Sequence, residues 1–223
     1  MASRPKAYIS WSSGKDSAYA LYVARQQGEV EIVGMLTTLT EKFGRVSMHG
    51  VREALLDAQA AAAGLPVIKV GIPSPCPNEV YEAKMAAAMD DAKVQGVTHM
   101  VFGDLFLEDI REYRLAKLSP IGIECVFPLW LRDTAELADE MVASGLRATI
   151  TTIDPKKLDR SFAGRAFDSN LLRDLPESVD PCGENGEFHT VATHGPMFST
   201  GIDTVTGEVV ERDGFIFADV LPA

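Results

Sequence analysis

Through the first two-thirds of the chain, short apolar, β-branched runs alternate with longer stretches whose apolar residues recur at helical spacing. The short runs predict strands over residues 7–10, 32–37, 66–70, 99–102, 124–128 and 147–153. The longer stretches predict helices over 16–27, 51–63, 78–95, 107–118 and 134–144. Gly64 and Gly145 stand where a glycine commonly closes a helix. Strands alternating with helices imply right-handed crossovers, and hence a mostly parallel twisted sheet with helices on both faces. In such sheets ligands sit beyond the carboxyl ends of the strands, where the strand order switches. The loops that follow strands therefore carry the functional expectation.

After about Asp154 the texture changes. Residues 154–190 are polar and rich in turn formers, with only short helical pieces, and the end reads as short β segments with turns at Thr206-Gly207 and Asp213-Gly214. The chain is thus expected to divide into an α/β nucleotide-binding domain, 1–153, and a small irregular C-terminal region, 154–223, that packs on it and carries the substrate site.

Charge narrows the classes of partner. With 32 acidic against 21 basic residues the net charge is −11, which argues against a general nucleic-acid surface, since phosphate neutralisation needs clustered Lys and Arg. Cys76, Cys125 and Cys182 are sparse, odd in number and form no C-x-x-C, a pattern of reduced thiols rather than a disulfide framework. The N-terminal residues lack a signal-peptide pattern, and no run reaches the roughly 18 apolar residues of a membrane span. A soluble, cytoplasmic protein without membrane or nucleic-acid partners is expected. If it self-associates, a C2 homodimer is the form to expect, although no residue pattern demands one.

The stretch "YISWSSGKDSAYALYVARQQG" (residues 8–28) runs from strand through a glycine loop into helix. A Walker loop would need glycine at position 9 and Ser or Thr at 16, where this chain has Ile9 and Asp16. The physics still favours a phosphate. A helix starting near Asp16 aims unpaired N–H groups and its positive dipole end at the loop. Gly14 permits close approach, the hydroxyls of Ser12, Ser13 and Ser17 can donate, and Lys15 supplies a point charge. A carboxylate beside a polyphosphate calls for an intervening cation, so Asp16 is a candidate Mg²⁺ ligand; its plainer role is to stabilise the helix dipole.

The hexapeptide S-S-G-K-D-S resembles the S-G-G-x-D-S loop of the PP-loop ATP pyrophosphatases, with Ser13 in place of the first glycine. Members of that superfamily cleave ATP between the α- and β-phosphates, which implies that the loop grips departing pyrophosphate. "MHGVREALLDAQAAAAGLPV", "FGDLFLEDIREYR", "PLW", "GLRATITTID", "FAGRAFD" and "DPCGENGEFHT" resemble, in order, segments of the diphthine–ammonia ligase family. The resemblance covers nearly the whole chain. It implies adenylation of a substrate carboxylate followed by displacement of AMP by ammonia. In eukaryotes and archaea that substrate is diphthine, a modified histidine of translation elongation factor 2. The diphthine-acting members read G-E-G-G-E-Y-E-T where this chain reads G-E-N-G-E-F-H-T from Gly183 to Thr190. That departure resembles the bacterial branch, for which amidation in cobalamin metabolism has been suggested.

Other candidates are weighed against plainer readings. Gly103 and Asp104 follow a strand expected beside the first one, which would place them at the phosphate loop. Arg111 and Arg114 share a helical face with Glu108; this is either part of the site, as the resemblance implies, or a solvated salt-bridged surface. Asp109 has the same two readings. Gly183, Glu184, Asn185, Glu187 and His189 read locally as a hairpin tip at Asn185-Gly186, whereas the resemblance makes Glu184 and Glu187 catalytic and the others substrate-binding. Thr37 and Thr38 end a strand where related folds hold adenine, although β-propensity also explains them. His49 precedes a helix that Ser47 could cap and joins the substrate-binding candidates. A zinc site of Cys182, His189 and His194 matches no strong spacing, and Trp130 reads as core or pocket wall.

The expected function is an ATP- and Mg²⁺-dependent amide ligase, with Lys15, Asp16, Glu184 and Glu187 as catalytic residues and a carboxylate and ammonia as substrates. The alternatives are a paralogue amidating a small metabolite, another PP-loop reaction such as tRNA thiolation, and a nucleotide sensor without turnover. Lys15→Ala and Asp16→Asn are expected to depress AMP release far more than stability.

Overall fold

The computed structural model describes residues 3–223. The first strand, β1 (Lys6–Ser10), alternates its side chains between two cores. Ala7 and Ile9 join one cluster with Leu21, Leu55 and Leu56, whereas Tyr8 joins the other with Met89, Met100 and Phe102. That period of two is what a strand covered by helices on both faces requires. Fully burying one such side chain contributes about 1.5–3 kcal/mol.

Helix α1 (Lys15–Gln27) starts behind an extended Gly14 and ends at Gly28, whose φ of 66° allows its N–H to reach the Ala24 carbonyl. Strand β2 (Glu31–Thr40) follows, one residue longer at its start and three at its end than expected. The two-residue β3 (Arg45–Val46) folds back antiparallel on its end. Helix α2 (Glu53–Ala63), β4 (Val67–Ile72), α3 (Asn78–Val94), β5 (Val97–Val101), α4 (Glu108–Leu118), β6 (Glu124–Val126) and α5 (Thr134–Ala143) complete the alternation. Parallel pairing runs from β4 to β2, β1, β5 and β6. The chain thus builds outward on one side of β1 and then returns to the other, which makes the carboxyl end of β1 the switch point.

β7 (Arg147–Ile153) departs from the expectation of a sixth parallel strand. It pairs antiparallel with β8 (Phe188–His194) and β10 (Phe215–Pro222), and β9 (Thr204–Arg212) completes a second sheet in the order β8-β7-β10-β9. Alternating β and α segments cannot reveal which sheet a strand joins. Asp213-Gly214 makes the turn between β9 and β10, but Thr206-Gly207 lies inside β9 and turns nothing. The short helix α6 (Ser169–Asp174) lies in the connection from β7 to β8 and is capped by the Asp168 carboxylate. Ser47 does not cap α2; its hydroxyl bonds Thr40 Oγ1 instead, and the helix begins behind an extended Arg52. Among the described residues no helix is long and apolar enough to cross a membrane.

Candidate functional site

The loop between β1 and α1 crosses the switch point under strain. Ser13 sits at a φ of 68°, in the left-handed region that glycine occupies freely. Its hydroxyl is buried without a hydrogen-bond partner. Two contacts hold it there: its carbonyl accepts the Ala192 amide at 2.9 Å and the Gln59 side-chain amide at 3.0 Å. Ser13→Gly should therefore raise stability by about 1 kcal/mol, the approximate cost of the left-handed conformation. Chemical denaturation would read the gain.

Gln59 was not anticipated as a site residue. It is fully buried, accepts from Trp11 Nε1 at 3.0 Å and donates to the carbonyls of Ser13 and Ala192. One amide thereby ties α2, the loop and β8 together. The only sequence signal was a lone polar residue on the buried face of an alanine run.

Gly14 and Gly103 are both required by close approach. A Cβ on Gly14 would stand 2.7 Å from His49 Cε1, and one on Gly103 would meet the Asp16 and Ser17 backbone at 2.8–2.9 Å. Gly103 thus lets the end of β5 lie against the first turn of α1. Ser12 and Ser17 bond each other at 3.1 Å, while the Lys15 amide donates to Thr190 Oγ1 on β8 at 3.1 Å. Among the described residues the Asp16 amide meets only its own carboxylate and the Ser17 amide has no backbone acceptor, so the helix terminus presents donors to the loop.

The Lys15 side chain turns inward and is 1% exposed. Its ammonium sits 2.9–3.0 Å from both Asp16 oxygens, donates to the Cys182 carbonyl, and lies 5.3 and 5.2 Å from the ring centres of Phe167 and Phe188. Burial opposes its charge, but the Asp16 carboxylate prevails and raises its pKa. Asp16 is also raised, because burial outweighs the ammonium. The directions differ in cause: for a buried acid desolvation raises the pKa, whereas for a buried base it lowers it.

Glu184 reaches the same place from the C-terminal region. Its Oε1 accepts the Leu105 amide at 2.7 Å, just beyond β5. Burial, reinforced by Asp16 and Asp104, pushes its pKa to about 7 despite that bond and Lys15. The segment before β8 is held by Asp180, whose carboxylate accepts the amides of Cys182 and Glu184 at 3.1 and 2.9 Å. The expected hairpin tip is not formed. Gly186 donates back to Gly183 in a turn that simply leads into β8, and Asn185 does not adopt the positive φ of a type I′ turn.

A cavity of about 560 Å³ opens beside the loop between α3 and α4. Ser12, Thr37, Thr38, His49, Arg114 and His189 line it, together with an apolar wall including Met85, Phe102 and Tyr113. Thr37 is buried and its hydroxyl lacks a partner. Arg114 is anchored by Asp104 in a two-pronged ion pair and stacks 4.3 Å from the Phe102 ring centre. The rings of His49 and His189 stack at 4.5 Å. His49 Nδ1 lies 3.1 Å from the Thr190 carbonyl, which can only accept, so Nδ1 carries the proton. Burial lowers the pKa of His49 to about 3 and of His189 to about 4, and both rings stay neutral at physiological pH.

Arg111, Gly183, Asn185 and Glu187 are among the candidates that do not line this cavity. Arg111 pairs with Glu108 at 3.1 Å and stacks on Phe127 and Trp130. Gly183 and Asn185 belong to the turn, and the Lys157 ammonium holds the Asn185 carbonyl at 2.6 Å. Glu187 is buried; one of its oxygens accepts the Asp180 amide at 3.1 Å and the Asn185 side chain at 3.2 Å, a role in shaping the segment.

Both halves of this site fall within regions shared with known proteins. Residues 5–119 match a family described as the diphthamide synthase N-terminal domain, and 133–217 match the diphthamide synthase C-terminal domain. A diphthine–ammonia ligase of Schizosaccharomyces pombe is 32% identical over 96 residues, which is 41% of this chain and 16% of that protein. Its counterpart in Danio rerio is 30% identical over 123 residues, 51% of this chain and 47% of that protein, and the human one is 28% identical over 120 residues. The matched region spans less than half the length of these curated relatives. With both domain families matched in order across most of its length, the chain belongs to the diphthamide synthase family.

Proposed function

We propose that this protein is an ATP-dependent ligase that adenylates a carboxylate and converts it to an amide with ammonia. The observation that carries this reading is the junction at Lys15. The strained loop at the switch point and the Asp180–Glu187 segment are joined through one buried ammonium, which puts a phosphate-binding helix terminus beside an acidic group poised near neutrality. The cavity is within the range of small-molecule sites, about 300–1,000 Å³. Its apolar wall suits a planar base, and Thr37 and Thr38, which lie within β2 and do not end it as expected, offer polar groups.

In the first step a carboxylate oxygen attacks the α-phosphorus, the bond to the bridging oxygen of the β-phosphate breaks, and pyrophosphate leaves. The amides of Asp16 and Ser17 and the loop hydroxyls stabilise the charge that accumulates on it. In the second step the ammonia lone pair attacks the acyl carbon and AMP departs with the bonding electrons. The nitrogen sheds a proton, and Glu184, with a pKa of about 7, is matched to receive it.

Magnesium fits this site only as the companion of a nucleotide. Both Asp16 oxygens already face Lys15, and among the described residues no group of three or more His, Cys, Asp or Glu side chains converges on a metal position. The ion would take most of its oxygens from phosphate and water, with Asp16 as its protein ligand, a common arrangement for magnesium.

The test is to incubate the protein with ATP, Mg²⁺, ammonium and a pool of carboxylic acids and to identify products by mass spectrometry. AMP, pyrophosphate and one new amide are expected. ADP in place of AMP would overturn the proposal.

A further inference from the structure

Gln59 is fully buried on the inner face of α2, among alanines and leucines. A glutamine amide has an acceptor oxygen and two N–H donors, and here all are used. Oε1 accepts the Trp11 indole N–H at 3.0 Å, while Nε2 donates to the Ser13 carbonyl at 3.0 Å and the Ala192 carbonyl at 2.7 Å. An indole N–H only donates and a carbonyl only accepts, so the amide fits in one orientation. We propose that Gln59 is a positioning residue for pyrophosphate: through the Ser13 carbonyl it fixes the Ser13–Gly14 peptide with the Gly14 N–H turned to the phosphate side of the loop. The proposal deepens the ligase reading given above and rests on its phosphate loop.

In a planar trans peptide the C=O and the N–H point in opposite directions. The Ser13 carbonyl is drawn inward by two donors, Gln59 Nε2 and the Ala192 amide at 2.9 Å. The Gly14 N–H of the same peptide is thereby turned the other way, to 3.3 Å from the hydroxyl of Ser12, a residue that lines the nucleotide cavity. That contact is long for a hydrogen bond, and an anionic phosphate oxygen is a stronger acceptor than a hydroxyl.

Ser13 keeps its φ of 68° at a cost that glycine would not bear. Such a conformation persists only where the surroundings over-determine it. Gln59 gives the Ser13 carbonyl its second donor and holds the Ala192 carbonyl with its other N–H, so the loop and β8 are fastened as one piece. The Lys15 amide, donating to Thr190 Oγ1 at 3.1 Å, fastens the next residues to the same strand. Without Gln59 the serine is free to relax toward negative φ, and that rotation carries the Gly14 N–H away from the phosphate.

The residue type agrees with this role. Packing alone would be served here by leucine or methionine, without the cost of burying an amide. A fully satisfied polar group in the core instead rigidifies one conformation. Glutamate would not serve, since an ionised carboxylate has no proton to give to either carbonyl.

The test titrates magnesium pyrophosphate into the full chain, with calorimetry for affinity and backbone amide NMR for location. In the parent protein, saturable shifts are expected at Gly14, Asp16 and Ser17. Gln59→Met keeps the bulk of the side chain and removes its hydrogen bonds. It should weaken pyrophosphate by about tenfold, as expected when the binding-competent loop becomes a minor population. Adding Ser13→Gly should recover most of that loss, because glycine takes positive φ as readily as negative. The gain should exceed the one that Ser13→Gly gives in the parent, a coupling that a residue merely filling the core would not produce. Thermal melts establish that the variants fold. One measurement needs no variant: in the parent the Gln59 side-chain amide protons should exchange slowly with deuterium, and Gly14 should shift together with Asp16 and Ser17. Equal affinity of folded Gln59→Met, no recovery on adding Ser13→Gly, rapid exchange of the amide protons, or a Gly14 amide unmoved while Asp16 and Ser17 shift would each overturn the assignment and leave the phosphate loop standing. A parent protein that binds no pyrophosphate removes the phosphate loop and this assignment with it.

Discussion

Lys15→Ala is expected to lower stability by about 3–5 kcal/mol, the usual consequence of removing one partner of a buried ion pair, and to abolish AMP formation. The ammonium is enclosed, and its loss leaves the Asp16 carboxylate and the Cys182 carbonyl without their donor. From sequence alone the residue reads as a phosphate-facing charge, so that its loss would spare the fold. The structure revises that expectation, because Lys15 fastens the loop to the C-terminal region as well. The double variant Lys15→Met/Asp16→Asn removes both charges together and should recover most of the lost stability, since neither group is then left buried and unpaired. It should remain inactive. Urea unfolding and ATP–pyrophosphate exchange separate the two effects. A Lys15→Ala protein as stable as the parent would show that the ammonium does not lie inside.

Glu184→Gln should remove a pH dependence. The Glu184 pKa rises from 4.5 to about 7 on folding, mainly through burial. A group raised in the folded state contributes stability that is fully present below its unfolded pKa and is lost as pH rises through the folded one. Between pH 4.5 and 7 the parent protein should therefore lose up to about 3 kcal/mol from this residue. The glutamine variant keeps an acceptor for the Leu105 amide without that loss, so it should gain on the parent as pH rises from 5 to 8. The same substitution should erase an inflection near pH 7 in the rate of amide formation. Parallel stability curves for the two proteins across this range would rule out the buried position of the carboxylate.

Much of the fold was legible because it is encoded locally. The unbroken apolar run Ala7-Tyr8-Ile9 marks a strand, and Gly64 closes a helix through its own backbone freedom. The loop from Ser12 to Ser17 was also legible, since its chemistry depends on consecutive residues at a strand–helix junction. The strained Ser13 stood out as the position that departs from the glycine of the resembling loop.

What lay beyond the sequence is long-range. No periodicity says that β7 leaves the parallel sheet to pair with β8, because one β-branched run serves either sheet. Gln59 looked like a chance polar residue in an alanine helix until folding brought three polar groups against it. Lys15 and Cys182 stand 167 residues apart, and their contact depends on how the two sheets pack. Asp180, Glu184 and Glu187 are equivalent carboxylates in the sequence; folding gives Asp180 the Cys182 and Glu184 amides, Glu187 the Asp180 amide, and Glu184 the Leu105 amide and a burial that brings its pKa to about 7. Residue order determined the strands, the helices and the phosphate-loop candidate, through short-range sterics and hydrogen bonding. Tertiary packing alone decided which side chains meet and in which protonation state, because desolvation and charge proximity depend on neighbours that chain order does not specify.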